Sequence, residues 1–438
     1  MKLSDIKKAH FIGVGGIGMS ALARLFLHEK KLVSGSDRSP SDITKSLEAE
    51  GVHFFPAQVR ENITDDIDLV VYTEAMAKDH EELAAARKKK IPIMNYFEAL
   101  GMVANEYYLI AVAGSHGKTT TTAMLIDIFE EAGLDPTAIV GSLRAKTKSN
   151  YRAGKSKYFI VEACEYRRDF MSLKPDILVI TNIELEHVDY YKTLDDVQAA
   201  FRELSEKVPE TGAIIANLKD DKVRPCIEGV SAKIIDYSAY FNPLRRLMVP
   251  GVHNQLNAAA AVAAAAQVGI KPQSSDAALM EFAGTWRRFE YKGEVNGAKV
   301  YDDYGHHPTE IKATIKGARE LYPDRNLILV FQSHTYTRTH CLFDDFVDAL
   351  GMADYIIVLP IYAARETNEN GVTHVKLVDA LISKEKQAVA LETFDEVLTQ
   401  LRTTIGPEDL VLIMGAGDIT KVAQELTAVT PITTVATI

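Results

Sequence analysis

The sequence predicts an α/β protein assembled from three successive strand–helix series, each built on a mostly parallel sheet. Three observations carry that prediction. Short β-branched runs alternate with segments of helical spacing along the chain, the pattern left by parallel strands joined through crossover helices. Two glycine turns, GVGGIG (13–18) and GSHGKTT (114–120), each sit between a strand and a helix. Nearly every unusual polar cluster (GSHGKTT, EACEYRR, TNIELEH, DDYGHH, FQSHTYTR, GAGD) directly follows an apolar strand. In parallel sheets those strand ends share one edge, which is where ligands bind.

In the first series HFIGV (10–14) reads as a strand, MSALARLFLHEK (19–30) as a helix and KLVSGSD (31–37) as the next strand. DIDLVVYT (66–73) is another, followed by a helix closing on RKKK (87–90) and a strand at IPIMN (91–95). These define a first domain over 1–105. YYLIAVAG (107–114) opens the second domain, 106–285. Its helix, KTTTTAMLIDIFEEAG (118–133), turns Met124, Leu125, Ile128 and Phe129 inward and stops at Gly133. Strands follow at 157–163, 176–183 and 212–217. The alanine-rich stretch 256–269 has even helical propensity and a Gly269 stop, so it reads as a close-packing helix, not a low-complexity linker. The third domain, 286–438, has strands at 298–303, 326–332, 354–360 and 409–415. The tail 427–438 gives no clear signal.

Composition narrows the function. A chain of 438 residues with 47% apolar and 25% charged residues has enough material for several cores. The net charge of −11 argues against non-specific nucleic-acid binding, and RKKK reads as a solvated helix end. Three widely spaced cysteines, Cys164, Cys226 and Cys341, suit a reduced cytoplasmic protein without a disulfide or zinc framework. Four glycines break the N-terminal apolar run as a signal peptide, and no run is long enough to span a membrane.

The second glycine turn reads as a phosphate loop. Gly114, Ser115, His116 and Gly117 would turn backbone N–H groups and the helix N-terminus toward phosphates. Lys118 would reach the terminal phosphates and Thr119, with Thr120 beside it, would put a hydroxyl on magnesium. The usual first glycine is replaced by Val112. The competing reading is a tight turn with a surface lysine.

In the first turn Gly13, Gly15 and Gly18, with Gly16 between them, match a dinucleotide fingerprint. Ser36 and Asp37 end the next strand about 20 residues on, where a ribose-binding acid belongs. Taken alone this turn suggests a nicotinamide-dependent dehydrogenase, but it suits any diphosphate.

Glu162 and His187 follow strands of the same sheet as the phosphate loop, placed to hold Mg²⁺ on nucleotide phosphates. A salt bridge from Glu162 to Arg167 or Arg168 is an equal competitor. For His187 the competitor is a structural histidine, weakened by the nearby acids Glu184, Glu186 and Asp189. Cys164 reads as a packing residue. In DDYGHHPTE Pro308 starts a helix, which leaves the paired histidines unexplained. His334 and Arg338 suit an anionic group. His253, Asn254, Asn257 and Arg288 are placed to clamp a base or ribose, with a plain N-cap the competing role for Asn254.

Taken in order, GSHGKTTTT, EACEYRRDF, TNIELEHVDYY, GVHNQLNAA, WRRFE, DDYGHHPTE, FQSHTYTRT and GAGDI resemble the motifs of the Mur ligases, and within them the alanine-adding branch. The resemblance covers nearly the whole chain. It implies an N-terminal Rossmann-like UDP-sugar domain, a central P-loop-type ATPase and a C-terminal Rossmann-like domain. The implied reaction joins L-alanine to the lactyl carboxylate of UDP-N-acetylmuramate through an acyl phosphate. ATP is the co-substrate, Mg²⁺ the cofactor and small molecules the only partners, with neither nucleic acid nor membrane involved. Such a step belongs to peptidoglycan precursor synthesis, and so to cell-wall biogenesis, cell shape and division.

By the same resemblance Gly13, Gly15, Gly16, Gly18, Ser36 and Asp37 bind the UDP-sugar. Thr119 and Glu162 hold one Mg²⁺ and His187 the second. His253, Asn254, Asn257, Arg288 and Asp303 surround the adenosine or its phosphates. Tyr304, His306, His334 and Arg338 face the amino acid and the reacting phosphate. The nearest rival within the family is the ligase that recycles murein tripeptide.

Four features subdivide the family. The stretch DDVQAAFREL (195–204) lacks the lysine that many relatives carbamylate, as the alanine-adding members also do. A threonine at 335 replaces one arginine of the commoner HRYTR, leaving Arg338 as the main cation there. EACEY replaces EADES, so Cys164 offers no carboxylate. The segment 220–250 is shorter than usual, which trims the central domain.

Overall fold

Three twisted sheets organise the chain in this computed structural model, which describes residues 1–428 except Ala75, Lys78, Asp189 and Arg365. Asp189 and all but the first two residues of the 427–438 tail therefore lie outside the described residues. The first sheet contains β1 (Lys8–Ile12), β2 (Leu32–Ser36), β3 (His53–Phe55), β4 (Leu69–Tyr72) and β5 (Ile93–Asn95), in the order β3-β2-β1-β4-β5. All its pairings are parallel.

The second contains β6 (Tyr108–Ala113), β7 (Thr137–Ile139), β8 (Tyr151–Arg152), β9 (Tyr158–Glu162), β10 (Ile177–Ile180), β11 (Ala213–Ala216) and β12 (Lys233–Asp236). Its order is β12-β11-β10-β6-β9-β7-β8, parallel except for the β7–β8 pair. The trimmed segment after Asp220 still supplies β12, which pairs with β11 through Ala213–Lys233 and Ala216–Asp236.

The third contains β13 (Glu290–Val295), β14 (Ala298–Asp303), β15 (Asn326–His334), β16 (Tyr355–Tyr362), β17 (Ala388–Ala390) and β18 (Asp409–Met414). Its order is β13-β14-β18-β15-β16-β17, with only β13 antiparallel.

The chain forms two compact units. One comprises Met1–Leu247 with Gln255–Ala283, so it holds the first two sheets; the other comprises Met248–Asn254 with the residues from Gly284 onward. Within the first unit a single apolar core runs from Phe11, Phe26 and Leu100 to Phe159, Phe170 and Phe201. Burying a side chain of that size contributes roughly 2 kcal/mol, so the two sheets stabilise each other. Polar contacts reinforce the join. Asn150 Nδ2 donates to Ile17 O at 2.5 Å and Asn105 Nδ2 to Ser172 O at 2.9 Å.

In the second unit the strands alternate between two cores. Leu329 and Phe331 face one with Ile315 and Phe346, while Ile328 and Val330 face the other with Leu401 and Ile413. Both sheet faces are covered, which explains why the long strands read as continuous apolar runs.

Helix Lys118–Glu131 is buried all round, from Thr119 to Phe129. Its far end is tied to the β7–β8 hairpin by ions. Glu130 meets Arg152 Nε at 2.5 Å and Arg144 Nη2 at 2.7 Å. Burial opposes the charge on Glu130, but the two guanidiniums hold its carboxyl down to about 2.

The folded value lies below the unfolded one. The group's stabilising contribution is therefore complete above the ordinary carboxylate range, about 4.3, and is lost as pH falls through the folded value. The melting temperature should drop as pH falls from about 4.3 toward 2. Glu130→Gln should melt lower at neutral pH and flatten that acid limb, as thermal unfolding followed by circular dichroism across pH will show.

Candidate active site

The site starts at the end of β6, where the chain turns sharply into helix Lys118–Glu131. Two positions of this turn accept only glycine. Gly114 has φ +137° and a Cβ there would stand 2.0 Å from Thr181 Oγ1. Gly117 has φ +81° and its Cβ would stand 2.3 Å from Asn257 Oδ1.

The neighbouring strand end braces the turn. Ser115 N donates to Asn182 O and His116 N to Asn182 Oδ1, both at 3.0 Å. Thr181 Oγ1 and Asn182 Nδ2 donate to His116 O at 2.6 and 2.9 Å, and the His116 ring meets Glu184 at 3.1 Å. A turn so fixed presents the unpaired N–H groups and positive dipole end of the helix to an anion.

Around it the ends of β9, β6 and β10, adjacent in the sheet, bring their polar side chains together. Thr119 Oγ1 donates to Glu162 Oε1 at 3.0 Å, and Gly141 N donates to Glu162 Oε2 at 2.9 Å. Lys118 Nζ is folded back onto its own loop, 2.5 Å from Gly114 O and 2.9 Å from Ser115 O, and pairs with Glu165 at 2.9 Å. Glu165, only 3% exposed, also meets His187 Nε2 at 3.2 Å. The other face of the His187 ring lies against Tyr166, at 4.7 Å between centroids.

Burial opposes charge on Glu165, yet the Lys118 ammonium and His187 hold its carboxyl down to about 2. Burial likewise opposes the Lys118 charge, and Glu165, Cys164 and Glu162 raise it. Burial pushes the Cys164 thiol up, which keeps it unreactive.

Lys118, Glu162 and His187 thus lie in one cluster. The salt-bridge alternative for Glu162 is not realised: Arg168 pairs with Glu203, and Arg167 lies 5.3 Å over the Tyr166 ring. A hydroxyl, carboxylates and an imidazole around a phosphate loop are a donor set that fits Mg²⁺ or Mn²⁺.

The first glycine turn is built differently. Gly13 has φ +82°, and its Cβ would meet Thr73 Cγ2 at 2.6 Å. Gly16 N donates to Gly13 O at 3.2 Å, and a Cβ at Gly18 would press on the Tyr96 ring at 2.7 Å. Asp37 closes the turn, its Oδ2 accepting from Gly15 N at 2.9 Å. Ser36 corrects the expectation placed on it. Its side chain is fully buried and its hydroxyl donates to Glu82 at 2.7 Å. Glu82 also receives Asn62 Nδ2 at 2.7 Å and meets His10 Nε2 at 3.3 Å, so Ser36 belongs to a core network.

In the second unit β14, β18 and β15 are neighbours and end in DDYGHH, GAGD and FQSHTYTR. His306 Nδ1 lies 3.1 Å from Tyr304 O, and its ring meets that of His334 edge-on at 5.8 Å. His334 stacks on Tyr362 at 5.6 Å, and Arg338 Nη1 donates to His334 O at 3.1 Å. Burial, and then the Arg338 charge, lower the His334 ring to about 4, so it is neutral at physiological pH. Burial lowers His253 to about 4 in the same way.

Arg288 lies 5.2 Å over the Tyr304 ring and 3.6 Å from Glu310. Asp303, expected at the nucleotide, has both oxygens engaged by backbone, Phe289 N and Gly305 N at 2.7 Å each. Burial pushes it up to about 6. Asn254 donates its amide to Pro250 O at 2.7 Å from inside the helix, not as an N-cap. Asn257 follows on the same helix, Val252–Gln267, and stands beside Gly117.

Three family models match consecutive parts of the chain: Mur ligase family, catalytic domain (residues 8–108); Mur ligase middle domain (112–243); and Mur ligase, glutamate ligase domain (287–417). The UDP-N-acetylmuramate–L-alanine ligase of Agathobacter rectalis is 41% identical, with 95% of this chain and 97% of that one covered.

The chain belongs to the Mur ligase family.

A second relative of this ligase, the UDP-N-acetylmuramate–L-alanine ligase of Caldanaerobacter subterraneus, is 38% identical over 97% of this chain and 98% of that one. Among solved structures, the UDP-N-acetylmuramate–alanine ligase of Thermotoga maritima superposes with a TM-score of 0.79 at 27% identity, covering 96% of this chain and 98% of that one. A murein peptide ligase from Psychrobacter arcticus gives a TM-score of 0.70 at 25% identity, covering 97% and 100%.

Two residues of this Mur ligase escape sequence reasoning. Glu165 is one; its only signal is a second glutamate three positions after Glu162 in a cluster that follows a strand. Arg287 is the other. It donates to Gly415 O and to Gly417 O, the latter at 2.9 Å, and faces Asp302 at 3.4 Å, so it braces the GAGD turn.

Gly117→Ala would combine a left-handed φ with a clash against Asn257, a strain of about 1–3 kcal/mol in the phosphate loop. Nucleotide affinity measured by calorimetry should fall about tenfold or more, with UDP-sugar affinity unchanged.

Proposed function

We propose that this Mur ligase joins L-alanine to the lactyl carboxylate of UDP-N-acetylmuramate at the expense of ATP, through an acyl phosphate. The observation that supports it most directly is the cluster of Lys118, Thr119, Glu162 and His187 at the phosphate loop, in a chain that aligns nearly end to end with ligases of that name. In this reading residues 1–105 hold the UDP-sugar, 106–285 bind ATP and 286–438 bring the amino acid, all within the cytoplasm. Among the described residues no helix is long and apolar enough to cross a membrane.

A carboxylate does not acylate an amine because its leaving group would be oxide. Attack of a lactyl oxygen on the γ-phosphorus forms a new O–P bond, breaks the bond to the β-phosphate oxygen and releases ADP. The amine of L-alanine then attacks the acyl carbon; phosphate leaves, and the nitrogen loses its proton as the amide forms.

The protein's part is positioning and charge neutralisation. The phosphate loop holds the triphosphate by its N–H groups, and Lys118 turns from Glu165 to the transferring phosphate. Thr119, Glu162 and His187 would hold Mg²⁺, which when bound neutralises phosphate charge and polarises the γ-phosphorus. Arg338 gives the second unit a fixed positive charge for the phosphate or the amino-acid carboxylate. His306 and the neutral His334 offer ring nitrogens without adding charge.

The deciding experiment is phosphate release with ATP, Mg²⁺ and UDP-N-acetylmuramate while the amino component is varied. Turnover is expected with L-alanine; turnover with murein tripeptide alone would overturn the proposal. Lys118→Ala should lower kcat by at least about 10²–10³-fold, the usual effect of removing a preorganised charge from the reacting group. UDP-sugar affinity should stay within about twofold, because a distant site adds independently.

A further inference from the structure

The first glycine turn spends its own amides on the protein. Gly13 N and Val14 N both donate to Ser36 O, at 2.8 and 3.0 Å, and Gly16 N donates to Gly13 O at 3.2 Å. Gly15 N is taken by Asp37 Oδ2 at 2.9 Å. That leaves an anion the donors of the helix that follows, Ile17–His28. Its first amides, on Ile17, Gly18 and Met19, have no partner among the described residues. Its N-cap is Gly16, which has no side chain to offer them.

Tyr96 stands over this opening. It begins helix Tyr96–Ala104, directly after β5, and its ring lies on Gly18. A Cβ at Gly18 would stand 2.7 Å from the ring Cζ and 3.0 Å from the hydroxyl oxygen. The helix start is fixed reciprocally: Glu98 N donates to Asn95 Oδ1 and Asn95 N to Glu98 Oε2, each at 2.8 Å. The ring also meets Phe97 edge-on at 4.8 Å. Backbone and ring thus hold Tyr96 in place, while its hydroxyl has no hydrogen-bond partner among the described residues. A phenylalanine would pack equally well, so the packing does not account for the oxygen. Burial, and then the charge of Glu162, raise the phenol, so it keeps its proton and can donate. The residue is partly exposed, which leaves a ligand access to it.

We infer that Tyr96 is a further substrate-binding residue, whose hydroxyl donates to the diphosphate of the UDP-sugar at the open end of helix Ile17–His28. The helix amides supply donors of fixed direction, and the phenol adds one from the side. Hydrogen bonds to charged oxygens are the strong ones, so a single phenol is enough to register in affinity. Tyr96 makes and breaks no bond; it holds the acceptor while the phosphate loop reacts. The inference rests on the reading of the first turn as the UDP-sugar site.

The test is calorimetric titration of wild type and Tyr96→Phe with UDP-N-acetylmuramate, UDP and ATP in turn. Tyr96→Phe should bind UDP-N-acetylmuramate and UDP about tenfold more weakly, the loss expected for one donor to a charged group. ATP affinity and kcat at saturating UDP-sugar should stay within about twofold, because the interaction is made equally before and during reaction. The melting temperature should be unchanged, since the ring remains. Tyr96→Leu, which removes ring and hydroxyl together, should show the same loss for UDP and a lower melting temperature.

Equal UDP affinity in wild type and Tyr96→Phe would overturn the inference. So would a loss seen with UDP-N-acetylmuramate but not with UDP, which would put the contact on the sugar. A parallel loss of ATP affinity would make the role structural and overturn it as well. Failure of the wild type to bind UDP would instead remove the UDP-sugar reading itself, and the inference with it.

Discussion

The pairing of Lys118 with Glu165 inside a water-poor pocket is the constraint around which this nucleotide site is arranged. Neither ion is stable there alone. The lysine is sheathed by its own loop carbonyls, and the acid is stabilised by that ammonium and by His187. Such a pair adds little net stability, since desolvation offsets most of the attraction, but losing one member is expensive. The site is therefore poised. It holds itself together through the contacts of Lys118 with Glu165 and with its own loop.

That arrangement is possible because parallel strands end on one edge. In the second sheet β9, β6 and β10 are neighbours, so Glu162, the phosphate loop and the segment leading to His187 emerge side by side although 25 residues separate Glu162 from His187. In the third sheet β14, β18 and β15 do the same for Asp303, the GAGD turn and His334. The buttresses are polar contacts between adjacent strand ends. Asn182 braces the phosphate loop, and Arg287 braces the turn after β18. Each fixes backbone, leaving the neighbouring side chains to act.

Long buried strands and both glycine turns were legible because their signals are local. The apolar run at 108–113, the glycines with positive φ and the helix stop at Gly133 need no distant partner to be read. The short strands β3, β8, β12 and β17 contain no fully buried residue, so no long apolar run marks them in the sequence. Ser36 shows a different failure. Its place at a strand end next to Asp37 suggested a ligand, but Glu82, forty-six residues away, claims its hydroxyl inside the core. Glu165 failed in the opposite sense. Nothing near it in sequence indicates that a lysine 47 residues earlier and a histidine 22 residues later would converge on it.

The two glycine turns share a place between a strand and a helix and differ in backbone and in charge. In the first, the acid Asp37 occupies Gly15 N, and the core network of Glu82, His10 and Ser36 lies behind it. No lysine or threonine follows its glycines; the helix continues as IGMSALA. A turn of that kind can seat a diphosphate on its backbone but has nothing with which to draw charge onto a leaving oxygen. In the second, Lys118 and Thr119 follow the last glycine at once, and two carboxylates and an imidazole surround them. Positive charge can be gathered there as a phosphorus–oxygen bond breaks. Two strand-to-helix turns with different neighbours thus provide one suited to holding a substrate and one suited to reacting with it.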